Sequence, residues 1–170
     1  VYWEEEWIPP LKEWAREAAE RGLPMLGVCY GHQLLADVLG GEVHDMGEYE
    51  IGYREVTHSG DSLLFDDVDE RFVAFTTHSD AVAELPPGAE PIAENEYGNH
   101  GFRKGDVFGV QFHPEYDVAT AESVTRGKDL SDDRLQQVLG GITEENYAAA
   151  CEAKLLFENF IDHVRDVRDL

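Results

Sequence analysis

An α/β fold, an open, mostly parallel twisted sheet flanked by helices, is what this 170-residue sequence predicts, and three observations point there. The run 24–28 is a short apolar strand that turns through Cys29 into a helix starting at Gly31. Such a sharp strand-to-helix connection raises one side chain above the end of a parallel strand. A second apolar run, 107–112, ends in His113-Pro114-Glu115 and so puts chemistry at another strand's carboxyl end, where open α/β sheets bind ligands. Last, a helical pattern from about Thr143 to Val164 carries Tyr147, Ala150, Cys151, Leu155 and Ile161 in register. With 42% apolar residues, the chain has the material for one domain with a proper core.

In chain order, Pro9-Pro10 opens a helix, because a first-turn residue needs no N–H partner. Leu11, Trp14, Ala15, Ala18 and Ala19 continue it at helical spacing, and Gly22 ends it. Strand 24–28 and the helix 31–39 follow, stopped by Gly40-Gly41. Strands are expected near 51–57, 72–76 and 81–84, then near 91–94 and 100–103, with Lys104-Gly105-Asp106 turning into strand 107–112. Residues 117–145 form a polar insertion, partly helical over 118–139. In the last helix, Leu155 to Phe157 should rest on the sheet and Cys151 should be buried and inert. The chain opens Val1-Tyr2-Trp3 and runs into acidic residues without an apolar strand, and it contains no internal repeat.

Cys29 is the candidate nucleophile. A thiol at the start of a helix gains from the helix dipole, which favours the thiolate. The Tyr30 backbone N–H is placed to donate to a developing oxyanion, and Gly31 allows a tight turn and a close approach by substrate. His113 leaves the strand as a base, and Glu115, two residues on, falls on the same side if the chain stays extended. Taken alone, a cysteine is more often a small core residue, and His-Pro-Glu is usually just a turn. Together they supply a nucleophile, a base and a group that orients the base. His32, His44 and His58 read as structural, and no spacing suggests a metal site. There is no glycine-rich phosphate loop, so the chain is expected to hold no cofactor of its own.

Gly27-Val28-Cys29-Tyr30-Gly31-His32-Gln33 and Gly109-Val110-Gln111-Phe112-His113-Pro114-Glu115 resemble the signatures of the class I (triad) glutamine amidotransferases. The resemblance runs on through Tyr49 to Tyr53 and Thr77-His78-Ser79-Asp80, and covers roughly residues 3 to 115 and, loosely, the last helix. It implies a flavodoxin-like fold and L-glutamine as substrate. It also implies that Cys29 forms a γ-glutamyl thioester, that His113 shuttles protons and that Glu115 orients His113. Gly31, Gln33 and the stretch Thr77, His78, Ser79 and Asp80 would hold the amino acid end of glutamine. Ammonia would pass to an ATP-dependent synthetase partner, to which ATP and magnesium belong. Tyr30 after the nucleophile and the Glu-Ile-Gly-Tyr segment are most similar to the GMP synthase branch, which implies GMP formation from XMP. Ser79 in place of the family's usual Gly, and the long 117–145 segment, depart from that branch. A stand-alone GMP-synthase-like amidotransferase and a γ-glutamyl peptidase are the alternatives, and an intact Cys29, His113 and Glu115 argue against a non-catalytic binding module. The family begins with a strand, and a second one supplies another oxyanion donor; the sequence shows neither, which implies an N-terminally incomplete domain.

The charge narrows the partners. Against 36 acidic residues stand 13 Lys and Arg, four of them Lys, for a net charge of −23. Such a surface repels phosphate backbones and anionic membranes, so neither nucleic acid nor membrane is expected. A lysine-poor carboxylate coat is what a halophilic protein would carry. Two cysteines in separate elements suit a reducing cytoplasm, and no apolar run approaches a membrane span.

Overall fold

Pro9 and Pro10 sit at the first turn of α1 (Ile8–Glu20), and Gly22, in the left-handed region at φ 66°, follows its end. Next come β1 (Met25–Val28) and α2 (Tyr30–Val38), separated by Cys29 alone. Four more strands follow β2 (Glu42–His58): β3 (Arg71–Glu84), β4 (Glu90–Asn95), β5 (Gly98–Lys104) and β6 (Val107–Val110). The chain ends in α3 (Val118–Arg126), α4 (Asp132–Gly141), α5 (Glu144–Ala150) and α6 (Leu155–Arg168). This computed structural model describes residues 1–168. The chain divides into two units, Val1–Glu48 with Ser79–Gln111, and Tyr49–His78 with Phe112–Leu170.

The fold is α/β, and its six strands are ordered β1-β6-β5-β4-β2-β3. The sheet is mixed. β1 and β6 are parallel, with Gly27 opposite Gly109, whereas β5 runs antiparallel to both β4 and β6. The reason is local: two-residue connections at 96–97 and 105–106 allow only antiparallel neighbours. In the first unit, α1 and α2 cover a core of Ala15, Leu34, Leu35, Ala36, Phe102 and Val107. In the second, Ile51, Phe75, Ala121, Val138 and Ile142 form a separate cluster.

Several elements differ from the sequence expectation. The strands expected at 72–76 and 81–84 are one, β3, because the polar block between them, with Thr77 and His78 buried and Ser79 and Asp80 half-buried, is hydrogen-bonded rather than turned into solvent. β2 begins at Glu42 rather than near 51; its first residues are mostly exposed and polar and carry no alternating apolar signal. The strand expected over 107–112 stops at Val110. The 117–145 insertion holds two helices, and Asp117, Ser131 and Thr143 each cap a helix start, at α3, α4 and α5. The Thr120 hydroxyl and N–H hold the Asp117 carboxyl below its ordinary pKa. The single helix expected over 143–164 is broken by a 3-10 turn at 151–154, and Cys151 opens that turn half-buried rather than in a buried stripe. Leu155 and Phe157 are likewise half-buried, while Leu156 is fully buried. Asn159 of α6 anchors instead to the 63–65 turn, donating to the Leu64 and Asp66 carbonyls at 3.0 and 2.9 Å.

Candidate active site

Cys29 is a non-glycine residue at φ 51°, ψ −101°, outside the conformations that L side chains favour. Two bonds pin it there. Its N–H donates to the Val110 carbonyl at 2.8 Å, continuing the β1–β6 pairing, and its carbonyl accepts from the Gln33 N–H at 3.1 Å, starting α2. The turn is tight because side chains are missing around it. A Cβ on Gly27 would lie 2.4 Å from the Gly31 carbonyl carbon and oxygen, and one on Gly109 would lie 2.5 Å from His32 Nδ1. The sequence reading gave the tight turn to Gly31, but the strain falls on Cys29 and the clearance comes from Gly27. A Cβ on Gly31 would meet nothing within 4 Å, so that face is open to an approaching group. Tyr30 is the first residue of α2, where a helix leaves the N–H without an internal acceptor. Its ring tilts against Trp7 at a centroid distance of 5.3 Å, and burial raises its phenol pKa.

A pair of buried amides reaches the sulfur. Gln33 Nε2 donates to the Asp80 carbonyl at 2.9 Å and to Gln111 Oε1 at 3.1 Å. Gln111 Nε2 then donates to Cys29 Sγ at 3.6 Å. The Asp80 backbone carbonyl can only accept, so it fixes the orientation of both amides in turn. The sequence reading missed Gln111; the available signal was one polar residue between Val110 and Phe112 in an otherwise apolar run.

The second unit holds His113 and Glu115. The His113 N–H donates to the Phe75 carbonyl at 2.8 Å, forming an isolated bridge beyond β6. Its Nδ1 lies 2.7 Å from Glu115 Oε1, and its ring stacks on Tyr116 at 4.1 Å between centroids. The carboxylate reaches the ring by way of a turn, not through the extended backbone expected.

Of the other predicted residues, His78 and Thr77 have their side chains engaged within the second unit. His78 Nε2 meets Glu50 Oε2 at 2.6 Å with both groups buried, and the Thr77 hydroxyl pairs with Tyr49 OH at 2.8 Å. Asp80 accepts from Tyr2 OH at 2.8 Å, and Ser79 lies next to it in β3. Neither Glu50 nor Tyr116 was expected from the sequence. Among the described residues, no helix is long and apolar enough to cross a membrane.

A strained cysteine at a strand–helix turn, on this strand order, marks an α/β architecture that raises one side chain where a strand ends. Residues 5–126 match the family model described as glutamine amidotransferase class-I, and the chain belongs to that family. It is 34% identical over 143 residues to the glutamine-hydrolysing GMP synthase of Clostridium novyi, covering 82% of this chain and 27% of that protein. The corresponding protein of Bacillus velezensis is 34% identical over 146 residues, covering 84% of this chain and 26% of that protein. The chain thus spans about a quarter of the length of these relatives. A glutamine amidotransferase from Thermotoga maritima superposes with a TM-score of 0.76 at 27% identity, over 94% of this chain and 73% of that one. One from Methylobacillus flagellatus gives a TM-score of 0.80 at 22% identity, over 95% and 71% of the two chains, and supports the fold.

Proposed function

We propose that the chain hydrolyses L-glutamine to glutamate and ammonia through a thioester on Cys29, and that the ammonia passes to a separate ATP-dependent synthetase. The observation that carries this reading is the Cys29 turn, with φ 51° at the start of α2 and an amide donating to the sulfur. In the first half-reaction His113 takes the thiol proton as the sulfur attacks the carboxamide carbon. The Tyr30 N–H donates to the oxygen that becomes negative. His113 protonates the departing nitrogen, the C–N bond breaks, and ammonia leaves. In the second half-reaction His113 takes a proton from water, the hydroxide attacks the thioester carbon, and glutamate leaves as the thiol reforms. Glu115 keeps the Nδ1 proton of His113 in place throughout. The amino acid end of glutamine is assigned to the open face of Gly31 and to the stretch Thr77, His78, Ser79 and Asp80, with Gln33 bracing that stretch through the Asp80 carbonyl.

The acceptor of the ammonia is proposed to be XMP, activated by a GMP synthetase subunit, as the similarity to glutamine-hydrolysing GMP synthases suggests. Trp3, Trp7 and Trp14 are 66, 52 and 63% exposed, an apolar feature in an acidic chain that a partner could cover. The net charge of −23 with four lysines supports a cytoplasm of high salt as the setting. The test is a glutaminase assay on the full chain. Cys29→Ala should abolish turnover and Cys151→Ala should preserve it; the reverse result would remove the assignment. Adding a GMP synthetase subunit with ATP, magnesium and XMP should raise glutamine turnover and yield GMP, and a chain indifferent to that subunit would be a stand-alone hydrolase.

A further inference from the structure

A cavity of about 120 Å³ in the second unit is lined by Gly52, Tyr53 and Arg54 of β2, Arg134 and Gln137 of α4, and Asn146 of α5, among others. None of these is a residue to which the reaction is assigned. Carboxylates outnumber Lys and Arg 36 to 13 in this chain, yet no Asp or Glu lines the cavity while two arginines do. Neither arginine makes an ion pair among the described residues. Arg54 donates from one terminal nitrogen to the Tyr53 carbonyl at 3.2 Å, and Arg134 donates to the Tyr49 carbonyl.

One donor here also lacks an acceptor. Arg54 Nε is buried without a hydrogen-bond partner among the described residues. Buried donors of this kind are ordinarily satisfied. Gly52, at φ 116°, keeps the wall open: a Cβ there would sit 3.4 Å from an Arg54 terminal nitrogen. The volume suits a group of a few heavy atoms, since a water takes about 30 Å³ of liquid. A nucleotide is too large.

We infer that this cavity binds a small oxyanion, a phosphate or carboxylate group, gripped by Arg54 and Arg134. Planar guanidinium groups suit such oxygens better than a point charge would. The anion would tie β2 to the helices of the 117–145 insertion and the one after it.

The test uses the full chain at fixed high NaCl, with inorganic phosphate and acetate as probes and thermal unfolding as readout. One or both anions should raise Tm saturably, by about 3 °C or more at high occupancy, beyond NaCl of matched ionic strength. Saturation by phosphate alone would assign a phosphoryl ligand, and saturation by acetate alone a carboxylate; both support the site. Arg54→Gln should lose the response. Gln137→Glu offers the arginines an internal carboxylate, so it should raise Tm without added anion and blunt the response, which keeps the test valid if Arg54→Gln fails to fold. The response should persist in Cys29→Ala, separating this site from the glutaminase reading. A shift no larger than that of NaCl, as water filling the cavity would give, or one undiminished in both Arg54→Gln and Gln137→Glu, would overturn the proposal.

Discussion

Around Cys29 the chain makes its site by leaving atoms out; around His113 it does so by filling space. The first unit places Gly27 and Gly109 where side chains would collide with backbone or with His32. The second stacks His113 on Tyr116, sets Tyr116 and Tyr53 against Phe75, and buries Glu50 against His78. One region should therefore fail when a methyl group is added and the other when a group is removed. A strained turn residue needs clearance, whereas an aromatic ring needs neighbours to fix its plane.

The largest expected effect separates activity from stability at the turn itself. Cys29→Gly should lower glutaminase turnover by about 10⁴-fold or more. It should also raise unfolding free energy by about 1 kcal/mol, because glycine adopts positive φ without penalty. Urea unfolding that shows no gain would mean the turn stores no strain.

Next in size, His113→Ala should reduce kcat by about 10³-fold, and Glu115→Gln by about tenfold, since the ring keeps its Tyr116 stack. Steady-state kinetics that rank Glu115→Gln as the worse variant would make the carboxylate more than an orienting group.

A pair of methyl insertions tests the clearance directly. Gly27→Ala should destabilise by about 3 kcal/mol, since the new Cβ meets backbone at 2.4 Å. Gly31→Ala should stay within about 0.5 kcal/mol of the parent, because its Cβ meets nothing. Equal effects in urea unfolding would refute the account of the elbow. In the filled region, Glu50→Ala strips a buried acceptor from His78 and should destabilise by about 2 kcal/mol.

The smallest effect is shared by both units. Carboxylate repulsion acts over about 30 Å at 0.01 M salt and about 3 Å at 1 M, so Tm should climb steadily over that range. A Tm highest in dilute buffer would remove the high-salt setting.

What the sequence disclosed follows from how far each signal reaches. The elbow was legible because strand, cysteine, glycine and helix are contiguous, and His113 and Glu115 because they lie two residues apart. Gln111 and Glu50 were hidden: their partners Cys29 and His78 are 82 and 28 residues away. β3 was split on paper because Thr77-His78-Ser79-Asp80 looks like a turn until Tyr49 and Glu50 satisfy it. The last helix was drawn unbroken because helical spacing cannot register a short 3-10 turn at 151–154. The capping residues Ser131 and Thr143 were visible all along, each followed by acidic residues at the next two positions, and would have resolved the insertion into helices.

The amide pair beside Cys29 has a polarity, set far from the sulfur. A backbone carbonyl at Asp80 turns Gln33, Gln33 turns Gln111, and Gln111 arrives at Sγ with hydrogen foremost. Reversing one link would reverse the compass: with Gln33→Glu, Gln111 would have to turn its hydrogens toward the new carboxylate and present oxygen to the sulfur. A strand carbonyl in β3 thus sets, through two side chains, which end of an amide faces the sulfur of Cys29.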